Sequence, residues 1–135
     1  MNRVIYKYHL PLTPDQVKQL EEGMTPGEKK LFNKLDIISH DRIDENGKVL
    51  SFMIGPIDEF FTIDCFLSHK KINYLKEDIN YKVLMGEYEF IDTPMEEYVD
   101  EYIKRNLNVD VILDKINYSG IESLTAADRM VLESF

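Results

Sequence analysis

The sequence predicts an α+β fold: an antiparallel sheet of about five strands, two short N-terminal helices, and three C-terminal helices packed on one face of the sheet. Three observations carry that expectation. Apolar residues alternate with a period of two in several stretches before residue 92. Thr-Pro pairs at 13–14, 25–26 and 93–94 have the composition of helix starts. From Thr93 onward the apolar spacing changes to three and four residues, the period of a helix face. The 135 residues are expected to form a single globular domain, sheet-rich over 1–92 and helical over 93–135.

The first strand is expected over 3–10, where Val4, Tyr6, Tyr8 and Leu10 point one way and Arg3, Lys7 and His9 the other, until Pro11. A helix then starts at Thr13, with Pro14 in the first turn and Gln16 completing a capping box. Val17, Leu20 and Met24 mark its buried side, and Gly23 stops it. The same signal recurs in Thr25-Pro26-Gly27-Glu28, followed by the stripe Leu31, Phe32 and Leu35. Strands near 36–43 and 48–54 flank a turn at Asn46-Gly47, a pair that readily takes left-handed conformations.

Residues 60–67 alternate, with Phe61, Ile63, Cys65 and Leu67 on one side. They predict a fourth strand with Cys65 buried. Ile72, Leu75 and Ile79 have helix-like spacing, and 81–91 reads as a fifth strand with Gly86 as a bulge or turn. Thr93 and Glu96 form the next capping box. Met95, Tyr98, Val99, Tyr102 and Ile103 share one helix face, opposite Glu96, Glu97, Asp100 and Glu101. Asn108 caps a further helix with the stripe Val109, Ile112, Leu113 and Ile116, which Gly120 ends. The last helix begins at Thr125, and the terminal Phe135 is expected to dock.

The net charge is −9, from 25 acids against 16 bases. That argues against nucleic acid and anionic membranes as partners, since both need clustered Lys and Arg. One cysteine permits no intramolecular disulfide. No stretch reaches the roughly 20 apolar residues of a membrane span, and a cytoplasmic, soluble protein is expected.

Catalytic and metal chemistry lack a constellation. His9, His40 and His69 are not paired at ligand spacing, and there is no Cys-x-x-Cys. Aligning Gly47 with the glycine of a calcium loop puts Arg42 and Met53 at the first and last ligand positions. Neither a phosphate-binding loop nor a dinucleotide glycine pattern occurs. No catalytic residue, metal or cofactor is expected.

What remains is charge. Between residues 87 and 101 lie seven acids and no base: Glu87, Glu89, Asp92, Glu96, Glu97, Asp100 and Glu101. Such a surface steers a cationic partner. The expected function is a non-enzymatic protein-binding domain, an immunity-type inhibitor or antitoxin that binds a basic bacterial toxin or effector through these acids. The alternative is a small-molecule-sensing regulatory domain, with an aromatic cavity near Tyr6, Tyr8, Phe52 and Phe61.

One stretch carries a family likeness. Within 112–132, Leu113-Asp114-Lys115-Ile116 is followed by Ser119-Gly120, then Ser123-Leu124-Thr125, then Asp128-Arg129 before an apolar residue. This pattern resembles the short helical cytoplasmic tail of rhomboid-like membrane proteins of the Bacteroidetes. The resemblance implies a bacterial origin and a small packed helical element. It implies no protease activity, because the Gly-x-Ser-x-Gly motif and membrane helices of that family are missing.

Overall fold

The alternation at the start of the chain becomes the central strand β1 (Arg3–His9). Val4, Tyr6, Tyr8 and Leu10 all enter one apolar cluster, while Ile5 is buried on the strand's other side. The computed structural model describes residues 3–134, which fall into two units, Met1–Asp78 and Ile79–Phe135.

In the first unit β1 is followed by α1 (Pro14–Glu22), α2 (Pro26–Asn33), β2 (Ile38–Ile43), β3 (Val49–Pro56), α3 (Phe60–His69) and β4 (Leu75–Asp78). The sheet order is β2-β3-β1-β4, and every neighbouring pair is antiparallel. Each helical crossover therefore joins strands separated by one other strand. That is the split β-α-β, or ferredoxin-like, arrangement. The α+β class is as the sequence predicts, with four strands in place of five.

Both capping boxes predicted for this unit form. The Thr13 hydroxyl accepts from the Gln16 amide and the Gln16 side chain accepts from the Thr13 amide; Thr25 and Glu28 do the same. The Thr25 amide, and Lys70 beyond it, hold the Glu28 carboxyl below its usual range. In the β2–β3 turn Gly47 takes φ +76°. The Asp44 carboxylate accepts from the amides of Asn46 and Lys48 and fixes that loop.

Three strand and helix expectations are corrected. Residues 60–67 lie in α3 rather than a strand. Phe60, Ile63 and Leu67 recur at three and four residues, and it is they that are buried, while Phe61 and Cys65 face solvent. The segment around Leu75, read as helical, is strand β4, because β1 offers it a free edge: Tyr6 pairs with Asp78 and His9 with Leu75. Residues 81–91 are not a strand. Val83 and Leu84 are adjacent and both buried, which alternation forbids. They belong to α4 (Asn80–Leu84), closed by Gly86 at φ +81° with the Glu87 amide donating to the Lys82 carbonyl.

The second unit continues with α5 (Glu96–Asn106), α6 (Val109–Ser119) and α7 (Ala126–Glu133). Leu84, Leu107, Val111 and Ile112 form its apolar cluster, joined by Ile116, Leu124, Val131 and others. Asn108 caps α6 by accepting from the Val111 amide, and Gly120 ends it at φ +79°. Thr125 caps α7, as predicted, and Asp128 completes the box as its third residue. Thr93 does not cap α5. Its hydroxyl donates to the Phe90 carbonyl, and Glu96 instead accepts from the amide of Asp92. The expected docking of Phe135 lies outside the described residues.

Candidate functional site

In the first unit a cleft of about 500 Å³ lies under α1 and α2, against the sheet and α3. Its roof comes from two short helices whose spacing exposes only one narrow apolar stripe each. Val17 and Leu20 of α1, Met24 after it, and Phe32 of α2 line the roof. Neither helix buries a side chain completely, so their apolar faces border open space. Met53 of β3, with Ile63 and Phe66 of α3, forms much of the opposite wall. α2 is held to α3 at one flank, where Phe32 and Phe66 meet edge-on at 4.8 Å and Lys70 reaches Glu28 at 3.4 Å.

The cleft has one polar end. Ser39 and Asp41 project from the helix-facing side of β2, two residues apart, and Ser51 lies opposite Asp41 on β3. Ser51 is 5% exposed, and its hydroxyl donates to an Asp41 carboxylate oxygen at 2.7 Å. Glu21 and Asp41 line both this cleft and an adjoining recess of about 350 Å³. The two carboxylates therefore mark the place where the two spaces meet. Lys29 lines the larger space alone.

A second polar group in the same unit is closed. The buried Tyr8 hydroxyl donates to Asp64 at 2.6 Å, and Lys76 reaches the other Asp64 oxygen at 2.8 Å. Lys76 also stands 4.1 Å from the Tyr6 ring centre. Burial first, and Asp64 second, push the Tyr8 hydroxyl far above its ordinary range. All three groups satisfy one another, so this is a structural lock. It fills the position where an aromatic cavity was expected. Tyr8 and Phe52 are sealed in the interior and Phe61 is 71% exposed, so the opening lies elsewhere, beside Phe32 and Phe66.

The seven predicted contact acids lie in the second unit and fare unequally. Glu87, Glu89, Asp92, Glu97, Asp100 and Glu101 are exposed, and Glu96 is partly covered. Glu96 is occupied by the Asp92 amide, and Glu101 pairs with Arg105 at 2.6 Å. Of the α5 face, Glu97 and Asp100 keep their charge open to solvent. Tyr98, assigned to the core by its spacing, is 36% exposed, while Met95 and Val99 are buried as predicted.

A further pair was not singled out from the sequence. Lys115 of α6 reaches both Asp128 oxygens, at 3.0 and 2.9 Å, with side-chain exposures of 7% and 1%. Burial opposes ionisation of Asp128, but the Thr125 amide and the Lys115 ammonium outweigh it and hold the carboxyl below its usual range. The signal was legible: Lys115 sits beside Ile112 and Ile116 on an apolar stripe, where a lone cation needs a partner. Nearby, Tyr81 donates to Asp114, and that bond raises the Tyr81 hydroxyl to about 12.

Cys65 is exposed on α3, and neither it nor any histidine lines the cleft. Among the described residues no three His, Cys, Asp or Glu side chains converge to hold a metal ion. Nor, among those residues, is any helix long and apolar enough to cross a membrane.

Comparison with known proteins adds one likeness. A family of unknown function (DUF6576) matches residues 95–135, less than a third of the chain. That segment comprises α5, α6 and α7 with the Lys115–Asp128 pair, and leaves out the unit that carries the cleft. No curated protein and no solved structure matches.

Proposed function

We propose that the chain is a non-enzymatic binding protein whose N-terminal unit captures a small, largely apolar ligand in the cleft beneath α1 and α2. The observation that carries this reading is the cleft itself. It has about 500 Å³ of space, apolar walls and one polar end, the size and character of a small-molecule site. Its roof helices bury no side chain completely, so a ligand would complete their apolar packing. The reading keeps the regulatory, sensing role foreseen as an alternative and moves it to different residues. The test is displacement of a fluorescent apolar probe from the full chain, with Leu20→Trp or Met53→Trp filling the space. Saturable binding that either filling variant abolishes supports it; an equal signal from wild type and both variants contradicts it.

A second reading rests on Glu97 and Asp100, which stand exposed on α5 beside a paired Glu101. Here the acidic face engages a basic protein partner, in the manner of an immunity-type inhibitor, in the cytoplasm of a bacterium. A partner recovered at low salt and lost on Glu97→Lys with Asp100→Lys would favour it. Retention after both reversals would remove it.

A further inference from the structure

We infer that the ligand of the cleft is a cationic amphiphile: an aliphatic or aromatic body with an amine head seated on Asp41. The inference deepens the small-molecule reading above and rests on it.

The argument starts from Ser51. A hydroxyl 95% removed from solvent needs an acceptor, and here it donates to one oxygen of Asp41. That bond holds one carboxylate oxygen beside β3, while Asp41 itself stays exposed to solvent. Among the described residues Asp41 makes no ion pair and no second side-chain bond. A held carboxylate at the end of an apolar space is a receptor for a charged donor. An ammonium with three N–H groups can bond its open oxygen and offer donors to the Ser39 hydroxyl. Glu21 lines the same junction and adds a second negative charge.

The opposing charges are placed differently. Lys29 borders the larger space but not the recess at which Glu21 and Asp41 meet. Lys18 and Arg42 border the recess and not the cleft. Arg42 follows Asp41 on the strand, so its guanidinium alternates to the far face, 5.0 Å from the Phe52 ring centre, although the residue also borders the recess. Of the charged groups lining the cleft, two are acids and one is a base.

The test compares three probes of equal chain length, dodecylamine, dodecanol and dodecanoate, each below its aggregation limit at near-physiological salt. Binding is read by displacement of a fluorescent apolar reporter from the full chain. The amine is expected to bind about two- to fivefold more tightly than the alcohol, the scale of an exposed, salt-screened ion pair. Shortening it to decylamine should weaken binding by about fourfold for each methylene removed. Asp41→Asn retains an acceptor for Ser51 and should remove the preference for the amine over the alcohol. Glu122→Gln, a change of equal charge at an exposed position of the second unit, should leave all three affinities unchanged.

If the alcohol binds but the amine has no advantage, or dodecanoate binds best, the amine assignment is overturned and the apolar site stands. If the preference survives Asp41→Asn, the head does not sit on Asp41 and the inference is likewise overturned. If no probe binds saturably, the cleft reading itself fails.

Discussion

Ser51 and Asp128 are both polar side chains shut away from water, one in each unit, and their surroundings differ in a way that separates binding from support. Ser51 donates to Asp41, whose second oxygen stays open on a cleft of about 500 Å³. Asp128 has both oxygens on Lys115, one of which also takes the Thr125 amide. The first arrangement leaves bonding capacity open to solvent at the edge of the cleft. The second uses it within the α6–α7 hairpin. A group left open at the edge of a cavity is available to a ligand, whereas a group satisfied in the interior fixes the fold.

The largest effect should come from breaking the closed pair. Lys115→Ala or Asp128→Ala leaves one charge buried without its partner, at a cost of roughly 3–5 kcal/mol in urea unfolding. Replacing both with apolar residues of similar size should recover most of that loss. If the single variants prove as stable as wild type, the pair is not the lock described here. The pH dependence has a definite sign. The Asp128 carboxyl is lower in the folded chain than its ordinary value of 3.8. Its stabilisation is therefore complete above about pH 4 and disappears as pH falls through the lower folded value. Amide exchange along α6 and α7 should quicken over that range, and Asp128→Asn should flatten the response.

The next contrast uses matched deletions. Ile112 is fully buried in the second unit, so Ile112→Ala should cost about 2–5 kcal/mol. Leu20 lines the cleft roof, where space already exists, and Leu20→Ala should cost about 1 kcal/mol or less. Equal costs would mean that the roof is packed as tightly as the helical core.

A smaller effect tests the sheet beneath the cleft. A Cβ on Gly55 would stand 2.7 Å from the Ile37 side chain and 2.9 Å from the Asp36 carbonyl oxygen. Gly55→Ala should cost roughly 1–3 kcal/mol by overpacking, read as a lowered unfolding midpoint. An unchanged midpoint would show that the entry to β2 yields freely.

What was legible in the sequence is what local chemistry decides. Thr13, Thr25 and Thr125 announced their helices because a cap and its box span four residues. Residues 60–67 fit both patterns because Ile63 and Leu67 satisfy a period of two and helical spacing alike, and only Phe60 against Phe61 and Cys65 separates them. β4 was missed because its four residues become a strand by pairing with β1, more than sixty positions away. The cleft was invisible for the same reason, since it draws on residues from Leu10 to Leu67. The acids near α5 are legible in the sequence as charges, but not that Glu96 accepts from the Asp92 amide.

The most direct test follows methionine methyl groups by NMR while dodecylamine is added to the full chain. Met24 and Met53 line the cleft, while Met85 and Met95 lie in the helical unit and Met130 is 69% exposed on α7. The account predicts saturable shifts at Met24 and Met53, with the other three unmoved and the response lost in Met53→Trp. Unmoved Met24 and Met53 signals, or saturation at Met85, Met95 or Met130 instead, would contradict it.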